Sequence, residues 1–425
     1  MDTQKWKITE HDMAILRPLA ARFAEVAASK RNQEVIRRWY QYDEMIAGRP
    51  LLQTETDAGI QMVLPDFQLH CQEDWARNQE LMLKDQLMHF EVIGDDRPLE
   101  PYATISWNIS MSGYGVETHN TRPDANVDGK LGAYHIDPPL KDIVKDFSLL
   151  RHRTFSVNRE DTAAGLAALH EAFDGILGVR LRHNPWWTMG LTQTAITLIG
   201  LEELMLNMYD EPEALHQLMG FLRDDYMAML DWMEAEQLIC LNNENDYLGS
   251  GSRGYTHSLP QPGRQPNAPL RTQDIWGLIE SQETVGVSPS LYEEFIFTYE
   301  KPFAERFGGI YYGCCEPVHT RWEVLKDMPN LKRVSISPWC DQEMLAEAMG
   351  AKFGFSRKPN PTLVSTVVFD EEAIRADLQT TVELVHKYGC PAEIVMKDVH
   401  TLSDDPTRLT RWVKIAREVI ADIYG

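Results

Sequence analysis

Five short apolar runs in the second half of the chain are separated by helical patterns, and this alternation limits the fold more than any other feature. The runs fall at residues 238–241, 310–313, 334–337, 352–355 and 393–396. Each ends in polar or thiol residues. In order these are Asn242-Asn243-Glu244-Asn245-Asp246, Cys314-Cys315-Glu316, Pro338-Trp339-Cys340-Asp341, Ser356-Arg357-Lys358-Pro359 and Lys397-Asp398-Val399-His400. Between them lie amphipathic stretches with helix signals. Asp210 with Pro212 and Glu213 reads as a capping box ahead of Leu215, Leu218, Leu222, Met229 and Met233. Ser288-Pro289, Asp370 and Asp405-Pro406 open three further helices. Strands alternating with helices predict a parallel α/β sheet. No glycine-rich dinucleotide or P-loop fingerprint follows any run, which favours a TIM-type (β/α)8 barrel over an open nucleotide-binding sheet.

The barrel is expected over residues 49–425, with a helical arm at 1–48. The stripe Ile15, Leu16, Leu19, Phe23, Val26, Val35, Ile36 and Tyr40 marks that arm, which would pack on a neighbouring element or on a second subunit of a homodimer. Residues 49–160 read as strands and loops. Residues 249–271 begin Gly-Ser-Gly-Ser-Arg-Gly and then carry Pro260, Pro262, Gly263, Pro266 and Pro269. A long aperiodic segment after a strand predicts a lid over the barrel mouth.

Composition narrows the function. With 41 basic and 64 acidic residues the formal net charge is −23, which disfavours nucleic acid and anionic membranes as partners. The N-terminus has no signal-like apolar segment, and no run approaches the roughly 20 apolar residues of a membrane span. A cytoplasmic enzyme is the expectation. The six cysteines are too few for a disulfide framework in 425 residues, but three of them fall between 314 and 340.

Side chains alternate along a strand, so only one of Cys314 and Cys315 is expected to face the mouth. Cys340 and His400 end neighbouring runs. Thiolates with an imidazole and a carboxylate such as Glu283 suit Zn²⁺. In the polar run after residue 241, Glu244 is a candidate general acid or base, with Asn243 and Asn245 placed to bind substrate. Asp66, after Leu64-Pro65, is a second candidate acid. Trp186 and Trp187 are suited to walling a pocket for an aromatic or quaternary-amine substrate. Arg357 is a candidate anion site.

The segment Val287-Ser288-Pro289-Ser290-Leu291-Tyr292-Glu293-Glu294-Phe295, followed by Gly313-Cys314-Cys315-Glu316, resembles the uroporphyrinogen decarboxylase superfamily. The likeness is to its zinc-dependent, corrinoid-linked methyltransferase branch. That branch carries a His-x-Cys pair at the Cys314 segment, with Tyr312 or Gly313 of this chain in the place of the His, and a distal Cys where this chain has His400. The Met-Arg-Gln-Ala-Gly-Arg type of segment that holds porphyrinogen carboxylates is replaced by apolar and acidic residues at 59–66. The resemblance implies a barrel enzyme in which zinc, held by Cys314 or Cys315 with Cys340 and His400, activates a small methylated substrate. The methyl group would pass to or from a corrinoid protein. The alternative it implies is a metal-free decarboxylase or lyase using Asp66 and Arg357.

Overall fold

The computed structural model describes residues 5–121, 135–265 and 267–425. Pro266 therefore lies outside the described residues. Among the described residues there are twelve strands: β1 (Leu51–Thr54), β2 (Tyr102–Ile105), β3 (Ile109–Met111), β4 (His119–Thr121), β5 (His135–Asp137), β6 (Phe155–Val157), β7 (Gly178–Leu181), β8 (Trp276–Ile279), β9 (Gly309–Tyr312), β10 (Leu331–Ile336), β11 (Gly354–Arg357) and β12 (Ala392–Met396). Six of them form one wholly parallel sheet in the order β1-β12-β11-β10-β9-β8. A second parallel pair, β2 with β7, stands apart from it. Two small antiparallel pairs, β3–β6 and β4–β5, complete the strands.

The α/β class and the parallel sheet match the alternation in the sequence, but the ladder does not close into an eight-strand ring among the described residues. Residues 238–241 form no strand. Side chains satisfy the open edges instead. Asp95 and Asp96 accept hydrogen bonds from the backbone N–H groups of Thr54 and Leu52 at 3.1 and 2.8 Å. At the other edge Asn242 imitates a strand: its Oδ1 accepts from Trp276 N at 2.9 Å and its Nδ2 donates to Trp276 O at 3.0 Å. An edge whose backbone groups are occupied this way offers no template for a further strand.

One face of the sheet is apolar. Leu52, Ile394, Met396, Phe355, Val334, Ile336 and Ile310 pack there against helices that include Pro212–Ala235, Glu371–Tyr388 and Arg408–Tyr424. Asp370 caps Glu371–Tyr388 as its position suggests, its Oδ1 accepting from Glu372 N and Ala373 N at 3.1 and 3.0 Å. Asp370→Ala should lower stability by about 1 kcal/mol, read as a shift of the urea midpoint. Ser288 and Asp341 also cap helices. Asp210 does not: it is the last residue of Leu201–Asp210, and Glu211 precedes the next helix.

The helical stripe near the N-terminus forms two helices, Glu10–Ala27 and Lys30–Asp43. They pack on neighbouring elements of the same chain. Leu16, Ala20 and Phe23 pack with Trp75, Leu83 and Phe173 of the same chain. Asp43 forms a buried ion pair with Arg333 on β10 at 2.9 Å. Region 49–160 is also more helical than its turn residues suggest, because Asp74–Met88 is a full helix.

The other face of the sheet is polar and buried. It presents Gln53, Arg333, Ser335, Ser356 and Glu393. Buried polar groups need partners, and the glycine-rich segment supplies them. Gln53 Nε2 donates to Gly251 O at 2.7 Å, Arg333 Nη2 to Tyr255 O at 3.0 Å, and Trp276 Nε1 to Gly254 O at 2.9 Å. Residues 248–256 are all buried. The expected lid is thus a plug packed against the sheet over its first third, and the stretch after residue 256 runs largely on the surface. Glycine is required because the backbone itself is in contact. A Cβ on Gly251 would lie 2.4 Å from Val395 Cγ1, and one on Gly254 would lie 2.0 Å from Asn242 O.

Candidate functional site

β9 ends at Tyr312, and Gly313 turns the chain with φ +94°. Cys314 and Cys315 therefore lie past the strand, where alternation no longer applies. Their sulfur atoms are 3.5 Å apart, so both belong to one site. Lys397, directly after β12, places its ammonium 3.4 Å from Cys314 Sγ and 3.4 Å from Asp398 Oδ2. Cys315 Sγ faces the same Asp398 carboxylate at 3.9 Å. The loop is held from below. Glu316 accepts from Cys314 N at 2.8 Å and from Ser281 N at 3.1 Å, and Ser335 Oγ donates to Cys314 O at 2.9 Å.

This arrangement makes Cys314 acidic. Donation from the Cys315 thiol favours the thiolate, burial opposes it, and the Lys397 charge adds to the first effect. The result is a thiol lowered to about 7. Cys315 moves up, because it holds its proton toward Cys314 and is itself buried. Burial pulls Lys397 down, but the two thiols and Asp398 outweigh it and keep it charged.

The predicted zinc set is not assembled here. His400 is exposed and makes no side-chain hydrogen bond among the described residues, and Asp398, at φ +58°, turns the chain after β12. Cys340 is near but engaged: its sulfur lies 3.5 Å from Ser337 Oγ and 3.9 Å from Glu316 O. Glu283 accepts from Thr192 Oγ1 at 2.6 Å, and burial raises its carboxyl. Among the described residues no three His, Cys, Asp or Glu side chains are grouped to hold a metal ion. The residues as arranged do not fit zinc, and the cation that faces the Cys314 sulfur is Lys397.

Two cavities lie along the gap between β8 and the β2–β7 pair. One, of about 220 Å³, is bordered by Arg97, Tyr102, Thr104, Asn245, Tyr247 and Arg253 among others. The second, of about 270 Å³, is bordered by Trp186, Trp187, Asn242, Leu248, Trp276 and Leu278. Both are lined by His183, Asp246 and Tyr247, so they adjoin. Tyr247 borders both cavities, whereas Cys314, Cys315 and Lys397 border neither.

The other candidates separate into those at the cavities and those elsewhere. Trp186, Trp187 and Asn245 line them. Glu244 lines neither cavity, and its Oε2 accepts from Tyr102 OH, Arg180 and Arg182 at 2.7, 2.7 and 2.5 Å. Its neighbour Asp246 lines both, and burial raises it to about 6 against the pull of Arg182. Asn243 donates to Leu259 O and accepts from Arg182, so it fastens the plug and is not a substrate contact. Arg357 is buried among Asp377, Thr381 and Ile336 O, away from both cavities. Asp66 is exposed, in an open surface hollow with Phe67 and Lys84.

Sequence reasoning missed Lys397 as a thiol partner, although a lysine closing the apolar strand Ala392–Met396 was a visible signal. It also missed Asp246, Tyr247 and Arg253, which gave no signal beyond their place near a polar run.

No family model matches the sequence, and no curated protein matches it. Among solved structures, a methyltransferase from Methanosarcina mazei is similar in fold, with TM-score 0.50 and 11% sequence identity. The superposition covers 92% of this chain and 99% of that one. At this identity the likeness is one of fold. No helix among the described residues is long and apolar enough to cross a membrane.

Proposed function

We propose that the protein is a methyltransferase that takes a methyl group from a small substrate, with the Cys314 thiolate as nucleophile. The observation that carries this reading is the Cys314 sulfur set between the Cys315 thiol and the Lys397 ammonium. A thiolate near pH 7 is the nucleophile that methyl transfer requires. In the step, the sulfur attacks the methyl carbon in line, the S–C bond forms as the carbon–heteroatom bond breaks, and the electron pair leaves with the heteroatom. We assign the proton for that heteroatom to Asp246, a cavity-lining carboxyl that burial raises to about 6. The fold likeness to a methyltransferase supports the reading, as does the resemblance of the Cys314 segment to the corrinoid-linked branch. On that resemblance we take a corrinoid protein as the partner that exchanges methyl groups with this site.

The test is anaerobic incubation with a reduced corrinoid protein and a panel of O-, N- and S-methyl donors, followed by the methyl-cobalt absorbance and the mass of the Cys314 peptide. The expected result is a methyl-cobalt band with one donor class, a methyl adduct on Cys314, and loss of both in Cys314→Ser. No band with any donor, or a band unaltered in Cys314→Ser, overturns the proposal. The decarboxylase alternative gains no support from the two adjoining cavities, because Arg357 borders neither and Asp66 borders only a separate open surface hollow.

A further inference from the structure

We infer that the first cavity binds the carboxylate of a small organic acid, with Arg253 as its counter-charge. Arg253 is 8% exposed and borders the cavity. The one hydrogen bond that its side chain makes runs from Nε to Gln53 Oε1 at 2.9 Å, so both terminal nitrogens lack a protein partner among the described residues. Its remaining contact is the face of Tyr247, with the guanidinium carbon 5.8 Å from the ring centre. The other charged arginines nearby are neutralised: Arg182 by Glu244 and Asp246, Arg97 by Asp85. Glu55 and Asp95 act on Arg253 only through space, and burial pulls it down to about 10.

A buried guanidinium without an ion pair is costly, and proteins retain one where a ligand completes it. Its planar fork suits a carboxylate, which accepts two parallel N–H bonds. The remaining lining favours a single negative charge. Glu100, Asp85 and Asp246 border the same cavity, so a dianion such as phosphate would meet three acids. Nearby Asn245 holds its Oδ1 buried and without a partner, free to accept from a substrate hydroxyl or amine. The adjoining cavity supplies a different surface, with Trp186, Trp187, Trp276, Leu248 and Leu278. A ligand filling both therefore has a carboxylate at one end and an apolar or quaternary-ammonium body at the other, since indole faces accept either. This deepens the methyl-transfer reading by naming its substrate class, but its test is binding and needs no turnover.

Calorimetric titration of the full chain with 4-methoxybenzoate, glycine betaine and the neutral 4-methoxybenzamide decides the matter. At least one carboxylate should bind, and the amide should bind at least tenfold more weakly than the benzoate if the aromatic acid is the ligand. Betaine binding alone assigns the body as a quaternary ammonium and supports the same carboxylate site. Arg253→Gln should weaken the bound carboxylate by about 10- to 100-fold, with an unchanged circular-dichroism spectrum. If that variant misfolds, the wild-type comparison of acid with amide still stands as the test. No binding of either carboxylate, equal binding of benzoate and amide, or unchanged affinity in folded Arg253→Gln overturns the inference. Carboxylate binding without methyl transfer would uphold it while removing the function proposed above.

Discussion

Cys315→Ala is expected to slow alkylation of Cys314 by iodoacetamide at pH 7 by about tenfold and to move the pH midpoint of the reaction upward. The lowering of Cys314 to about 7 arises first from the Cys315 thiol and next, among the favourable effects, from Lys397. At pH 7 a thiol of that acidity is about half ionised, whereas one at its ordinary value near 9 is about 1% ionised. The loss in thiolate is therefore about fiftyfold. A more basic thiolate is also a better nucleophile, and a Brønsted slope of about 0.4 over two units returns about sixfold. The net change is modest, so the midpoint is the sharper reading. It should rise from about 7 toward 9. Lys397→Met should move it in the same direction, because removing the ammonium 3.4 Å away leaves the thiolate buried without a counter-charge. Peptide mass spectrometry separates Cys314 from the other five cysteines. If neither substitution moves the midpoint, the arrangement around Cys314 does not activate it, and the nucleophile proposed here is the wrong one.

The parts of this molecule that could be read from sequence are those set by periodic burial. The apolar runs at β9, β10, β11 and β12 have helices between them because each is covered by a helix on one face. Helix caps such as Asp370 were legible for the same local reason. The failures are long-range. Residues 238–241 look like a strand, yet Asn184 and Asn242 take up the nearby backbone groups through their side chains. β8 was missed because four residues containing a glycine carry too little pattern. The thiol pair stood out by residue type, whereas the position of His400 depends on the positive φ of Asp398, which nothing in its neighbours announces. The plug was misread as a lid because glycine, serine and arginine in a row describe a surface loop equally well. The deciding clue lay elsewhere: Gln53, Arg333, Ser335, Ser356 and Glu393 are polar residues on buried strands, and such a face must be covered by something rich in backbone carbonyls and hydroxyls.

Gly254→Ala tests the plug directly and should produce the largest loss of stability among the substitutions considered. Its Cβ would lie 2.0 Å from Asn242 O and 2.9 Å from Asn242 C, both backbone atoms that no rotamer change can withdraw. Either the plug shifts, breaking the bond from Trp276 Nε1 to Gly254 O, or Asn242 shifts, freeing the β8 edge that its side chain occupies. Overpacking of this kind costs roughly 1–3 kcal/mol, and loss of the dependent hydrogen bonds adds to it, so about 3 kcal/mol or more is expected. Gly263→Ala is the control. It lies in the same segment at φ +84°, but nothing lies within 4 Å of its Cβ, so only the backbone strain of about 1–2 kcal/mol applies. The melting temperatures should fall in that order. A second reading follows from position. Gly254 directly follows Arg253, and its N–H donates to Asp246 O at 3.0 Å, so moving it displaces two residues that border the first cavity. Any Gly254→Ala protein that remains folded at low temperature should therefore bind the carboxylate probe far more weakly than Gly263→Ala does. Equal melting temperatures for the two variants would mean that the segment yields without cost, and a segment that yields so easily is a surface loop and not the filling of the sheet's polar face.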